Sequence, residues 1–161
     1  MIIFSTAQSN KKITLVFITR LLFIFVLLAF TLPASSEESE GKVALIAASG
    51  SGIEAMSLKD VRRLYLGLKS KDNKSVRNPV INTQSEELYD EFLKNIMRMT
   101  EGSYKRKLVK AIFRQGREEI VEISSLKELN DHLLENKGDV SFVEITAIEN
   151  MKNIEVVQIL W

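Results

Sequence analysis

VALIAASGSGIEAMSLKDVRRLYLG, residues 43–67, is the stretch on which the fold turns. Val43-Ala44-Leu45-Ile46-Ala47-Ala48 is an unbroken run of small apolar residues, which suits a strand covered on both faces. Ser49-Gly50-Ser51-Gly52 then predicts a sharp turn, because glycine tolerates positive φ and close backbone approach. Ser57 is placed to cap a helix, with Asp60 three residues on as an imperfect capping box. Leu58, Val61, Leu64, Tyr65 and Leu68 recur at helical spacing and are expected inside; Lys59, Asp60, Arg62 and Arg63 take the outer face. Gly67 fits the helix stop. Strand, glycine loop and helix open an α/β unit.

Outward from this stretch, the N-terminal side has a different character. Lys11, Lys12 and Arg20 precede the apolar run Leu21–Phe30, and Pro33-Ala34-Ser35-Ser36 follows it. A basic leader, a short apolar core and small residues at the exit predict a secretory signal peptide over residues 1–36, cut after Ser36. The alternative is a membrane anchor over residues 13–32. It needs Arg20 inside the bilayer, because the uninterrupted run is shorter than the ~20 residues of a spanning helix. The expected domain is residues 37–161, periplasmic or secreted after cleavage.

Of the 22 Lys+Arg, three lie in residues 1–36, as do none of the 21 Asp+Glu. The remainder carries 19 against 21, a net charge of −2, so its overall charge gives no reason to expect nucleic acid as a partner. The chain has no cysteine. An exported domain of this kind is held by core packing without disulfides, and acylation on a cysteine after the signal is excluded.

On the C-terminal side, Leu68–Arg77 reads as a basic loop and Pro79–Asn82 as a second strand with proline at its start or on an edge. Ser85–Met99 reads as a helix whose buried stripe is Leu88, Phe92, Ile96 and Met99, widened by Tyr89 and Leu93. Glu101-Gly102-Ser103 is read as its break. A basic helix from Tyr104 to about Arg114 follows, with Tyr104, Leu108, Ala111, Ile112 and Phe113 inward. Residues 119–123 read as extended. Ser125 and Glu128 box a helix carrying Leu126, Leu129, Leu133 and Leu134, closed by Lys137-Gly138. Residues 140–145 and 154–160 are strands rich in branched side chains. The order predicts an α/β domain, one small mixed sheet with helices packed on it. Phe92, Ile112, Phe113 and Phe142 are expected at the helix–sheet interface.

Four segments resemble the small secreted relatives of phosphate-transporter substrate-binding proteins, of the type 2 periplasmic binding protein class. Ser57–Gly67 is similar to that family's helix ending in aromatic-x-Gly, and Ser85–Met97 to its helix with Phe after a Ser/Thr-rich start. Ala111–Arg117 is similar to its aliphatic-Phe-x-Gly step, and Gly138–Val143 to its Gly-x-Ile-Gly-Tyr strand. The chain departs from the pattern in four places. Leu108 or a neighbour stands for a tryptophan, Glu118-Glu119 for a Pro-Pro pair, and Ser141-Phe142 for Gly-Tyr. Ile81–Glu86 keeps the hydroxyls of the family's Arg-x-Asp-x-Ser-Gly-Thr segment without its Arg, Asp or Gly. The resemblance implies a single lobe of such a protein, binding a small oxyanion such as phosphate. A membrane transporter or sensor is the implied partner. The alternative is an interaction or accessory module that kept the fold and lost the anion site.

The residues themselves suggest where an anion would sit. Ser49, Gly50, Ser51 and Gly52 offer consecutive backbone N–H groups and hydroxyls, though a plain turn has the same composition. No Lys-Ser/Thr follows, which rejects a nucleotide P-loop. Thr83 and Ser85 offer hydroxyls at a helix start, where simple capping, with Thr83 and Glu86 as a box, competes and Glu86 and Glu87 already complement the dipole. Each stretch follows a strand, so a joint site at one sheet edge is expected. Lys69, Lys71, Lys74 and Arg77 form one basic cluster and residues 105–117 another, both expected as solvated faces. His132, the only histidine, is expected to be exposed. It has no identifiable nucleophile, and no ligand spacing for zinc appears, so neither an enzyme nor a metal or other cofactor site is expected.

Overall fold

The computed structural model describes residues 41–161 except Asp72. The signal-peptide and anchor readings fall on residues 1–36, outside the described residues. The elements are β1 (Val43–Ala48), α1 (Leu58–Leu64), β2 (Val80–Asn82), α2 (Glu86–Phe92) running into a π turn (Leu93–Met97), and α3 (Glu101–Gln115). They continue with β3 (Val121–Ile123), α4 (Leu126–Glu135), β4 (Val140–Glu144), α5 (Ile145–Ile148) and β5 (Ile154–Ile159). This is a mixed α/β chain with small sheets.

β1 is the middle strand of a three-stranded sheet ordered β4-β1-β5, antiparallel to both neighbours. All six of its residues are buried. Val43, Leu45 and Ala47 face one apolar core, and Ala44 and Ile46 face a second. The unbroken run therefore records two covered faces and says nothing of strand direction. Both cores are built from residues between Val43 and Trp161.

β2 and β3 pair in parallel as a separate two-stranded sheet, where the sequence predicts a single one. The two sheets abut along β2 and β4, which run the same way through one bridge, Pro79 with Val140. Side chains replace most of the missing ladder. Asn82 Nδ2 donates to the Phe142 carbonyl at 3.0 Å, and Ser141 Oγ donates to the Val80 carbonyl at 2.9 Å. Both side chains are buried, so these bonds satisfy groups that would otherwise be costly.

Ser57 caps α1, its hydroxyl accepting from Asp60 N–H at 3.1 Å. Gly67, at φ +71°, turns the chain out, with Leu68 N–H donating to the Arg63 carbonyl. Two residues reverse the expected faces. Leu58 is 44% exposed, whereas Asp60 is 2% exposed. Asp60 goes inside because its carboxylate accepts from Lys71 N–H and Ser70 Oγ, tying the following loop over the helix.

The Ser85–Met99 reading is corrected at its second half. The π turn adds a residue to one turn, so Met97 enters the core while Met99, partly buried, packs at its edge, and Arg98 at φ +55° ends the helix. Glu101-Gly102-Ser103 is then the first turn of α3 and no break, since Thr100 already occupies the N-cap. Gly116, at φ +61°, terminates α3. α5 was not expected, because Ile145 reads as strand. β4 ends at Glu144 and Ile145 begins the short helix.

Phe92 and Phe142 stack with parallel rings 3.9 Å apart, and Tyr65 meets Phe92 edge-on at 4.7 Å. Tyr104 closes the cluster by donating its hydroxyl to the Tyr65 carbonyl at 2.7 Å. Truncating one such buried ring costs about 3–5 kcal/mol. The exposed helical ion pairs Lys105–Glu101 and Lys127–Asp131 are screened by water and salt and add little beside that. The aromatic cluster therefore dominates. Phe113 does not join it. Nine residues after Tyr104 is two and a half helical turns, which puts Phe113 at the opposite pole, 84% exposed, while Ile112 is half-buried.

Candidate functional site

The Ser49–Gly52 turn follows β1 directly. Gly50 and Gly52 both adopt positive φ, +73° and +69°, and a Cβ at either would meet open space. Glycine is present here for backbone conformation alone. The donors at Gly50 and Ser51 are already engaged. Glu155, on β5, accepts from Gly50 N–H at 3.2 Å through Oε2 and from Ser51 Oγ at 3.0 Å through Oε1. Ser51 Oγ in turn accepts from Ile53 N–H at 3.3 Å. The turn does hold a carboxylate, and it belongs to this chain.

The Thr83–Ser85 stretch is engaged too. Thr83 N–H donates to the Ile123 carbonyl at 2.8 Å and Gln84 N–H to Asn82 Oδ1 at 3.0 Å. Ser85 Oγ accepts from Leu88 N–H at 3.2 Å, the simple cap. Glu86 and Glu87 stand exposed in the first turn.

The expected joint site does not form. β1 runs antiparallel to β4, with Ala47 opposite Val140 and Val43 opposite Glu144. β2 runs with β4, from Pro79 beside Val140 to Asn82 beside Phe142. The end of β1, carrying Ser49, Gly50, Ser51 and Gly52, is therefore at one end of the strands, and the end of β2, carrying Thr83 and Ser85, is at the other. Strand direction decides this, and composition does not encode it.

A polar cleft of about 590 Å³ lies instead at the entry ends of β2, β3 and β4, among Pro79, Val121 and Asp139. Lys69, Arg77 and Arg117 line it, and so do Glu118, Glu119 and Asp139. Three cations against three carboxylates leave no net field for an anion. His132 also lines the cleft and corrects its reading as exposed. Its ring is half-buried, with Nε2 3.1 Å from Asp139 Oδ2. Asp139, 4% exposed, also accepts from Asn78 N–H and Nδ2. The pair thus locks α4 and the turn after it to the start of β2. A bend at Asn136–Gly138, with Gly138 at φ +114°, brings the two residues together. Gly138 was the one sequence signal for it.

The first basic cluster is solvated as expected, with Lys69, Lys71, Lys74 and Arg77 all exposed. The second is carried by α3. Lys105 pairs with Glu101 at 2.6 Å, and Arg106 Nη2 donates to Ser103 Oγ at 3.1 Å. Among the described residues there is no group of three or more His, Cys, Asp or Glu placed to hold a metal ion, and no helix long and apolar enough to cross a membrane. No protein-family model, curated protein or solved structure matches the chain.

Proposed function

We propose that this chain is a non-enzymatic interaction module, exported by a signal peptide over residues 1–36 or anchored through residues 13–32, that resembles one lobe of a type 2 periplasmic binding protein and has given up the anion site. The observation that carries this reading is Glu155, whose carboxylate takes the Gly50 N–H and Ser51 hydroxyl that an oxyanion would need. An incoming phosphate would have to displace a tethered carboxylate and then sit beside it, against like-charge repulsion. Thr83 and Ser85 lie at the opposite end of the strands, followed in the chain by the exposed Glu86 and Glu87. His132 and Asp139 have the orienting half of a catalytic arrangement, and the structural role of Asp139 accounts for the pair without chemistry. A transporter or sensor subunit is the partner the family resemblance implies.

A second reading keeps oxyanion binding and moves it to the polar cleft, where Lys69, Arg77 and Arg117 converge. It is weaker because Glu118, Glu119 and Asp139 line the same space.

A thermal-shift titration with phosphate and sulfate divides the two. A ligand at a hundred times its Kd stabilises the native state by about 2.7 kcal/mol, a shift of roughly 10 °C for a domain of this size. No shift is expected. A concentration-dependent rise that Arg77→Ala abolishes overturns the module reading in favour of the cleft.

A further inference from the structure

The outer face of α3 carries a combination that neither core packing nor solubility requires. Phe113 is 84% exposed and Val109 52% exposed. By helical spacing they lie on one stripe with Arg106 and Lys110, opposite the buried Tyr104 and Ala111. α3 holds Lys105, Arg106, Lys107, Lys110 and Arg114 against Glu101 alone, a net charge of +4. Residues 37–161 as a whole carry −2, so the rest of that region carries −6. Positive charge is concentrated on this helix, where Glu101 balances Lys105 alone.

We infer that α3 seats the protein on an anionic lipid surface, with Phe113 and Val109 at headgroup depth and Arg106, Lys110 and Arg114 against lipid phosphates. The charge of the helix is complementary to such a surface. Its geometry is too, since an 84% exposed ring fits a yielding interface. Helices with basic flanks and an aromatic on the apolar stripe lie in the interfacial plane, and each cation near an anionic surface contributes about 1 kcal/mol, or roughly fivefold in affinity. The apolar run Leu21–Phe30, whether signal or anchor, brings the chain to a membrane in the first place. Headgroup contact by one helix is weak and salt-sensitive, which suits an accessory module that meets its partner in the plane of the membrane. The inference rests on the interaction-module reading and names the surface it uses.

The test is co-sedimentation of residues 38–161, which contain both apolar cores, with vesicles of phosphatidylcholine alone or with roughly one-third phosphatidylglycerol. Binding is expected only to the anionic vesicles, and it should fall as salt is raised. Lys110→Gln with Arg114→Gln should weaken it about 25-fold, by the fivefold per cation above. Phe113→Ser should weaken it severalfold even at low salt, which separates insertion from charge attraction. These side chains are exposed, so the variants should melt with the wild type, and circular dichroism checks that they do. Equal binding to both vesicle types, or anionic binding untouched by these variants, overturns the inference. So does an absence of vesicle binding together with α3-dependent capture of an acidic protein, which would make this face a protein interface. The phosphate titration is read independently. Failure on vesicles with no phosphate shift removes the lipid surface and leaves the module reading standing.

Discussion

Tyr65, Tyr89 and Tyr104 all have phenols held above their ordinary pKa. Burial is the first cause in each, with nearby acidic or phenolic groups adding to it. Tyr89 is pushed up to about 12, by burial and then by Glu122, Glu101 and Asp90; Tyr65 and Tyr104 are raised as well, by burial first. A raised phenol keeps its proton in the folded chain at a pH where the unfolded chain has lost it. The stability it contributes is complete below about pH 10, the unfolded value, and drains away as pH climbs toward the folded value. Alkaline unfolding beginning above about pH 10 is therefore expected, with phenolate absorbance rising together with loss of circular dichroism. Full phenolate absorbance near pH 10 in a chain that stays folded would contradict the burial of these rings. At this scale the sequence was readable where one side chain had one role. Ser57 and Ser125 cap the helices they were expected to cap, and at α2 the cap is Ser85 in place of Thr83. It was not readable where a residue meets a distant one, because nothing near Glu155 announces Ser51, 104 positions earlier.

Helix and strand positions were largely legible, because periodicity is local. Boundaries failed where one extra residue changed the phase. An α-helix continued through Leu93 would bring Met99 inward, but the π turn brings Met97, and the following helix starts three residues sooner than its apolar pattern indicates. Phe113 was assigned inward on hydrophobicity although its angle from Tyr104 places it out, so there the helical geometry was the better guide. Two glycines that end helical segments allow a graded test. Gly67 has φ +71°, and a Cβ there would come within 3.2 Å of Cδ of Arg117, a side-chain rather than a backbone atom, whose guanidinium donates to the Gly67 carbonyl. Gly138 has φ +114°, where a Cβ would stand 3.1 Å from the Ser75 carbonyl oxygen and 3.0 Å from Arg77 Cγ. Gly67→Ala is expected to cost about 1 kcal/mol and Gly138→Ala about 2–3 kcal/mol in urea melts. The reverse order would mean that the bend holding Asp139 against His132 is softer than its contacts imply.

In the chain as a whole, the central strand depends on the last two. β1 pairs with β4 and β5, Val43 N–H donates to the Trp161 carbonyl at 3.0 Å, and Leu160 N–H donates back to Val43 at 2.8 Å. Ending the chain after Lys152 would strip one side of β1, and would also free the Gly50–Ser51 turn from Glu155 and Met56 N–H from Gln158. Against a typical stability of about 5–15 kcal/mol such a loss is not survivable, so that truncation should show no cooperative urea transition. A sharp transition at the wild-type midpoint would mean that β5 is dispensable. Strand order and direction were the part of the fold that the sequence left undetermined, and they also moved the expected site apart. The same arrangement bears on how the molecule is made. The innermost strand leaves the ribosome about a hundred residues ahead of either neighbour, so no stable sheet can close around it during synthesis. A nascent chain of this design keeps its central strand without partners until its last residues have been made, and takes its shape only then.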